Sequence, residues 1–232
     1  MTDATQLLAI AGQLYQGAAD GSFAAALASY AAMLGGERGG LFVWDAATRK
    51  LDRMEPFEIA ADCQRDYATY ASLPDLLPLW RLRYAAAASE AVLAEIHADH
   101  SVWRDTVLYD AWLAPQQMQQ SLRAHLQPDP TRVAMLGVTR DARARPFDAE
   151  AMAAMRALQP HLKLALQLGD RLAGLEQART EALAALDLLD QGVFVVDGAC
   201  RVRFASRRGE RQLRASDGIV ATGRALACQL TR

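Results

Sequence analysis

The longest helical pattern in the chain runs from Phe147 to Leu189, and it constrains the fold more than any other feature. Its residues recur at alternating intervals of three and four, which is the heptad spacing of a coiled coil. The seam consists of Leu158, His161, Ala165, Leu168, Leu172, Leu175, Arg179, Ala182, Leu186 and Leu189. Pro160 predicts a break or kink near Gln159, because proline removes a helical hydrogen bond and disfavours helix at the preceding residue. We therefore predict a connecting segment of two helices in series at residues 147–190.

An apolar seam along one helix favours pairing with a second copy of that helix. We assign the dimer interface to the leucines Leu168, Leu172, Leu175 and Leu186. Two seam positions, His161 and Arg179, are polar, so the seam is imperfect. The pattern predicts a homodimer.

Residues 1–146 carry the mixed signals of an α/β (α+β) domain. Two helices are predicted within residues 4–34, and the glycine-rich run at 35–40 ends the second one as a turn into a sheet. Strands are predicted at 41–44, 50–59, 121–127 and 131–140. The pattern between 62 and 118 is interrupted by prolines and predicts short helices joined by turns. The expected fold is an antiparallel sheet flanked by helices.

A second, smaller module is predicted at residues 191–232. Strands at 193–196 and 201–205 flank a tight turn, and a short helix follows at 206–215. About 40 residues are fewer than a domain usually needs to fold alone, so we expect this module to be incomplete. The total of 232 residues fits one complete domain and part of another.

Composition and charge exclude several classes of protein. The chain has 25 Lys and Arg against 27 Asp and Glu, which gives no overall positive field for binding nucleic acid. No stretch approaches the roughly 18 consecutive apolar residues of a membrane span, and no secretory signal opens the chain. The three cysteines are far apart and form no C-x-x-C pair, which suits free thiols in a reducing compartment. These features predict a cytoplasmic protein that does not bind membranes.

Common catalytic signatures are missing from the sequence. It contains no G-x-S-x-G elbow, Walker A loop, G-x-G-x-x-G fingerprint or H-E-x-x-H pair. His97, Asp99 and His100 are a cluster of metal-ligand types, but no third ligand stands at a recognisable spacing. Exposed or capping histidines are favoured over a metal centre, and an enzyme that uses His97 and His100 is the less favoured alternative. We predict no catalytic residues and no metal site, and the sequence identifies no cofactor.

Aromatic residues are concentrated between residues 42 and 112. A sheet face covered by short aromatic helices can enclose an apolar pocket, in which phenol and indole groups orient a small ligand. The candidate ligand-binding residues are Phe42, Trp44, Tyr67, Tyr70 and Trp80. A filled aromatic core draws on the same residue types and is the alternative interpretation.

Three passages resemble the sensory part of a group of LuxR-type helix-turn-helix transcriptional regulators. Residues 109–118 (YDAWLAPQQM) resemble a Y-x-x-W-x-x-P-x-G-x segment of that group. Arg145-Pro146-Phe147 followed by residues 158–166 (LQPHLKLAL) resembles an R-P-F…L-x-P-H-L-x-x-A-L passage. Residues 185–187 with 192–197 (GVFVVD) resemble the start of a PAS-like module. Together the passages place the resemblance over roughly residues 40–210.

This resemblance implies an N-terminal GAF- or PAS-like sensory domain at 1–146, a connecting and dimerisation helix, and a second PAS-like module. It also implies a C-terminal DNA-binding domain, for which this chain has no counterpart. Cys200 and Ser206 stand where the group usually has Gly and Asn, and Asp75-Leu76 replaces a frequent Asp-Pro.

Two functions follow from the resemblance. In the first, the chain is the sensory and dimerisation region of a LuxR-like regulator that responds to a small apolar ligand, with DNA reached only through the absent domain. In the second, it is a ligand-free interaction module that titrates full-length regulators as heterodimers unable to bind DNA.

Overall fold

The computed structural model describes residues 4–71, 73, 76–99, 101–215, 219–222 and 225–228. Asp75 and His100, which were singled out above, lie outside these residues. The chain divides into two compact units, Met1–Leu172 and Ala173–Arg232, and the division falls inside its longest helix. Among the described residues, no helix is both long enough and apolar enough to cross a membrane. The boundaries at residues 146 and 190 stay predictions.

The first unit is an antiparallel sheet between helices. Its helices are α1 (Ala4–Asp20), α2 (Ala24–Leu34), α3 (Ala61–Ala71), α4 (Leu77–Ala88), α5 (Ser101–Arg104) and the first part of α6 (Ala149–Asp187). Its strands are β1 (Arg38–Asp45), β2 (Leu51–Phe57), β3 (Val92–Ile96), β4 (Gln120–Asp129) and β5 (Arg132–Arg140). Within the described part of the chain these five strands form one sheet in the order β2-β1-β5-β4-β3, with each pair antiparallel. The predicted fold class is confirmed.

Alternation along the strands gives the sheet two different apolar faces. Leu41 and Val43 of β1 belong to the core formed with helices α1, α2 and α6. Phe42 and Trp44 point the other way, into an aromatic cluster formed with the segment from α3 to residue 118. Both faces of the sheet are therefore covered.

The turn from α2 into β1 is built on glycine, as the sequence predicted. Gly35 caps α2 with φ 64°, a left-handed conformation that glycine adopts without steric cost. Gly39 has φ 154°, and a side chain there would meet the carbonyl of Gly137 on the neighbouring strand. Strands β1 and β5 come together closely here because Gly39 carries no Cβ.

Strand β3 corrects the prediction that residues 62–118 contain only short helices. Val92–Ile96 pairs antiparallel with β4 at the edge of the sheet. Five residues are too few for a clear period-two pattern, and the pairing partner lies some thirty positions later in the sequence. Tertiary pairing, which local sequence does not encode, determines this strand.

Helix α6 corrects the predicted break near Gln159, because it runs without interruption from Ala149 to Asp187 with Pro160 inside it. The Gln159 side chain donates hydrogen bonds of 2.8 Å to the carbonyls of Glu90 and His125. Leu158 and Leu162, on either side of the proline, are 3% and 1% exposed in the core. An interior proline costs about 3 kcal/mol, and burial of this helix face offsets that cost.

The second unit contains the predicted hairpin and helix. Its elements after α6 are β6 (Phe194–Val196), β7 (Val202–Ala205), α7 (Arg207–Ala215), β8 (Ile219–Thr222) and β9 (Ala225–Cys228). The Ser206 hydroxyl is buried and accepts hydrogen bonds from the amides of Val193 and Gly209, so it caps α7 and ties it to the hairpin. Cys200 adopts φ 57° in the hairpin turn. The β8–β9 hairpin was not predicted.

Candidate ligand-binding site

A cavity of about 50 Å³ lies in the first unit, between the β1, β5 and β4 face of the sheet and the segment from α3 to Met118. Its walls include four aromatic side chains and two methionines. The apolar lining includes Phe42, Tyr67, Trp103, Trp112, Met118 and Met135. The polar lining includes Arg83, His97, Ser121, Arg123 and Thr139. A largely apolar cavity with a few convergent polar groups is the usual form of a small-molecule site.

The aromatic wall is a chain of ring contacts that fixes each side chain. The Tyr67 ring lies 4.8 Å from the centroids of both Phe42 and Trp112. The Trp112 indole donates a 2.7 Å hydrogen bond to the carbonyl of Cys63. These contacts join β1, α3 and the π-helix Tyr109–Leu113 into one rigid side of the cavity.

Arg83 enters the site from α4 and is only 3% exposed. Its guanidinium carbon lies 4.7 Å from the Trp44 ring centroid and 5.2 Å from that of Trp80. Stacking between indoles positions the charge without using its N–H groups. Its Nε and Nη1 atoms are buried and have no hydrogen-bond partner among the described residues.

Arg123 enters from β4 and is 4% exposed. It forms an ion pair with Glu95 of β3 and lies 4.3 Å from the centroid of Trp103. The Trp103 indole donates a 3.1 Å hydrogen bond to the same Glu95 carboxylate. The Nε atom of Arg123 is buried with no hydrogen-bond partner within the described part of the chain.

His97 is buried beside these arginines in the cavity wall, so the prediction of an exposed or capping histidine is wrong for this residue. Its Nδ1 lies 2.9 Å from the carbonyl of Met118, and its Nε2 lies 2.8 Å from the Ser121 hydroxyl. The imidazole stacks on Trp103 with a 4.8 Å separation of centroids. Both ring nitrogens are therefore engaged by the protein. Across the residues that the structure describes, no three His, Cys, Asp or Glu side chains cluster as metal ligands would.

Burial sets the protonation of the groups around the cavity. Burial lowers the pKa of Arg123 to about 9, with the charge of Arg83 acting in the same direction. It also lowers the pKa of His125, the next inward residue on β4, to about 3. Burial raises the pKa of Tyr67, which Arg83 partly opposes. At neutral pH Arg123 is charged, whereas His125 and Tyr67 are neutral.

The five predicted ligand-binding residues occupy three kinds of position. Phe42 and Tyr67 line the cavity. Trp44 and Trp80 are buried one layer away, where they hold Arg83. Tyr70 packs against the edge of the aromatic cluster and is partly exposed. Their role in binding a ligand stays a prediction.

The polar half of the site was not predicted from the sequence. Ser121, Arg123 and His125 alternate along β4 with apolar residues, which indicates that they share one sheet face. That alternation was the available signal. It identifies a polar face, but the sequence alone does not show that helices bury this face.

The predicted dimer seam divides into a buried part and an exposed part. Leu158 and Ala165 are buried in the core of the first unit. Three of the predicted interface leucines are exposed, by 37% at Leu168, 39% at Leu172 and 69% at Leu175. The fourth, Leu186, is half-buried.

Known proteins match this chain in three-dimensional structure but not in sequence. No protein-family model matches the chain, and no curated protein matches its sequence. The LBD domain of VqsR from Pseudomonas aeruginosa matches with a TM-score of 0.49 and 14% identity, over 69% of this chain and 93% of that one. The N-acylhomoserine lactone-dependent LuxR-family transcription factor CepR2 from Burkholderia cenocepacia matches with a TM-score of 0.49 and 18% identity, over 74% and 99%. SdiA in complex with octanoyl-rac-glycerol matches with a TM-score of 0.45 and 14% identity, over 73% and 65%.

All three TM-scores lie below 0.5, so the function is argued below from the residues of this chain.

Proposed function

We propose that the chain is the cytoplasmic sensory and dimerisation region of a LuxR-like transcription regulator. In this proposal residues 1–146 form a GAF- or PAS-like domain that binds a small ligand, residues 147–190 connect and dimerise, and 191–232 begin a PAS-like module. The cavity is the observation that supports the proposal, because aromatic rings fixed by mutual contacts surround two arginines. Nε and Nη1 of Arg83 and Nε of Arg123 have no hydrogen-bond partner among the described residues. The role is one of binding and not of catalysis.

A path of direct contacts links the cavity to the connecting helix. Arg123 lines the cavity from β4, and two residues further along the carbonyl of His125 accepts a hydrogen bond from Gln159 of α6. On the opposite face of β4, Ala124 packs in the core that contains Leu158 and Leu162 of α6. A ligand that binds one arrangement of β4 more tightly than another shifts the population of α6 positions.

Dimerisation is assigned to the exposed leucines of α6. By helical spacing, Leu168, Leu172 and Leu175 lie within one quarter of the helix circumference, which gives a continuous apolar stripe. Charged residues cannot be buried between two such stripes without a large desolvation penalty.

The double substitution Leu172→Asp and Leu175→Asp is therefore expected to convert a dimer into a monomer. Light scattering after size-exclusion chromatography measures this directly. Leu8→Asp is the matched control, because Leu8 is an equally apolar exposed residue (71%) on a different helix. A double variant that remains dimeric contradicts the assignment of the interface.

The ligand is tested by native mass spectrometry of the purified chain. A retained small molecule, identified after denaturation, supports a ligand-gated sensor. A chain that carries no added mass and shows no shift with any small-molecule probe contradicts it.

A second candidate is the ligand-free interaction module, and the exposed leucine stripe favours it because that surface needs no ligand. The test is co-expression with a full-length LuxR-type regulator and purification through a tag on this chain. Recovery of the regulator that is lost in the Leu172→Asp, Leu175→Asp variant supports titration. Recovery of this chain only with copies of itself contradicts it.

A further inference from the structure

We propose that the ligand of this cavity carries a negatively charged group of the carboxylate class, held by Arg83 and Arg123, on a small apolar or aromatic body. The inference rests on the proposed function, since it names the chemistry of the molecule that the cavity binds. It arises from the charge and the unused donors of the site, neither of which an uncharged apolar ligand satisfies.

The charges of the site do not balance among the residues described. Arg83 and Arg123 both line the cavity, and no Asp or Glu is among the described lining residues. Glu95 neutralises one of the two charges through its pair with Arg123. One buried positive charge is left, and a buried charge without a partner is strongly unfavourable. An anion in the cavity supplies that partner.

The unused donors lie on the same two side chains. Nε and Nη1 of Arg83 and Nε of Arg123 are buried and unpaired within the described residues. Guanidinium groups bind carboxylates through charge-assisted hydrogen bonds, which are roughly twice as strong as neutral ones. The Arg83 guanidinium also forms a side-chain hydrogen bond with Tyr67. The indoles of Trp44 and Trp80 hold Arg83 by stacking, so its Nε and Nη1 donors stay available to a ligand.

The size and walls of the cavity define the rest of the molecule. Pockets for drug-sized ligands usually measure about 300–1,000 Å³, whereas this one encloses about 50 Å³. A body of a few heavy atoms therefore fits best, and Met118 and Met135 can make room for a single ring because methionine side chains adapt readily. The surrounding rings favour an aromatic or short aliphatic acid over a sugar or a nucleotide.

The test compares acids with uncharged amides of nearly the same shape. All four tryptophans lie in the first unit and in the aromatic cluster of the cavity, so tryptophan fluorescence reports on binding there. The full chain is titrated with benzoate and benzamide, phenylacetate and phenylacetamide, and butyrate and butyramide. We expect at least one acid to bind about tenfold or more tightly than its amide, the effect of a charge-assisted hydrogen bond.

Two variants of the same helix separate this charge effect from a general effect on α4. Arg83→Met keeps a long apolar side chain between the indoles, and the acid preference should disappear. Arg81→Met removes an equal charge from an exposed position of α4 and should leave the preference unchanged. The melting temperature of each variant is measured alongside, and Arg83→Gln replaces Arg83→Met if the latter does not fold.

Equal or tighter binding of the amides overturns the anionic assignment but supports the proposed small-molecule function. An acid preference that survives in Arg83→Met also overturns it. If no probe binds, the carboxylate inference is rejected, and the proposed function is judged separately by the molecule retained in native mass spectrometry.

Discussion

Glu95→Gln tests whether the carboxylate of Glu95 compensates the buried charge of Arg123, its ion-pair partner in the cavity wall. The Arg123 side chain is 5% exposed and the Glu95 side chain 23% exposed. Removing one partner of a buried pair costs about 3–5 kcal/mol, because the other charge stays buried without compensation. Partial exposure of Glu95 reduces this, so we expect a loss of about 3 kcal/mol in the free energy of unfolding. Glutamine keeps the shape of the side chain and the acceptor for Trp103.

The assay is urea unfolding followed by tryptophan fluorescence, which reports only on the first unit because all four tryptophans lie there. For a unit of this size, about 3 kcal/mol corresponds to a fall in melting temperature of roughly 6–12 °C. Glu90→Gln is the matched control. Its partner Lys163 is 32% exposed, and exposed pairs contribute about 0–1 kcal/mol.

Equal unfolding free energies for the Glu95→Gln and Glu90→Gln variants would refute the reasoning, since the two changes differ mainly in the burial of the partner. The carboxylate proposal adds a second expectation. Glu95→Gln makes the cavity more positive, so a bound acid should restore part of the lost stability, whereas its amide should not.

Two further predictions concern elements that frame the site. Gln159→Leu leaves the carbonyls of Glu90 and His125 without their side-chain donor, and should lower the free energy of unfolding in urea by about 2 kcal/mol. Gln167→Leu is the control, because it removes only a single hydrogen bond, to the carbonyl of Pro128, and should cause a smaller loss. The folded-state pKa of His125 is about 3, below the ordinary value, so the unfolded chain gains a proton as the pH falls and the folded chain does not. Stability should therefore fall by about 1 kcal/mol between about pH 7 and pH 5.5, and His125→Phe should remove most of that dependence.

The sequence predicted those elements whose signals are local. Glycine at 35–40 marks the turn into β1. The alternation in residues 121–127 and the continuous apolar run within 131–140 predict the two longest strands. Strand β3 was missed because its only determinant is pairing with β4, which is distant in sequence. The uninterrupted helix through Pro160 was missed for the same reason, since Gln159 is fixed by carbonyls from two other segments.

Fewer residues of the candidate site than elements of the fold could be predicted from local sequence. Aromatic residues were selected because their size favours burial, and Phe42 and Tyr67 do line the cavity. Arg83 and Arg123 were not selected, because an arginine in a sequence is by default an exposed residue. A buried arginine with unused donors is destabilising in isolation. Arg83 lies next to Trp44 and Trp80, which stabilise the guanidinium by stacking, while its Nε and Nη1 have no partner among the described residues. An anion bound by these two groups is the best explanation of that arrangement.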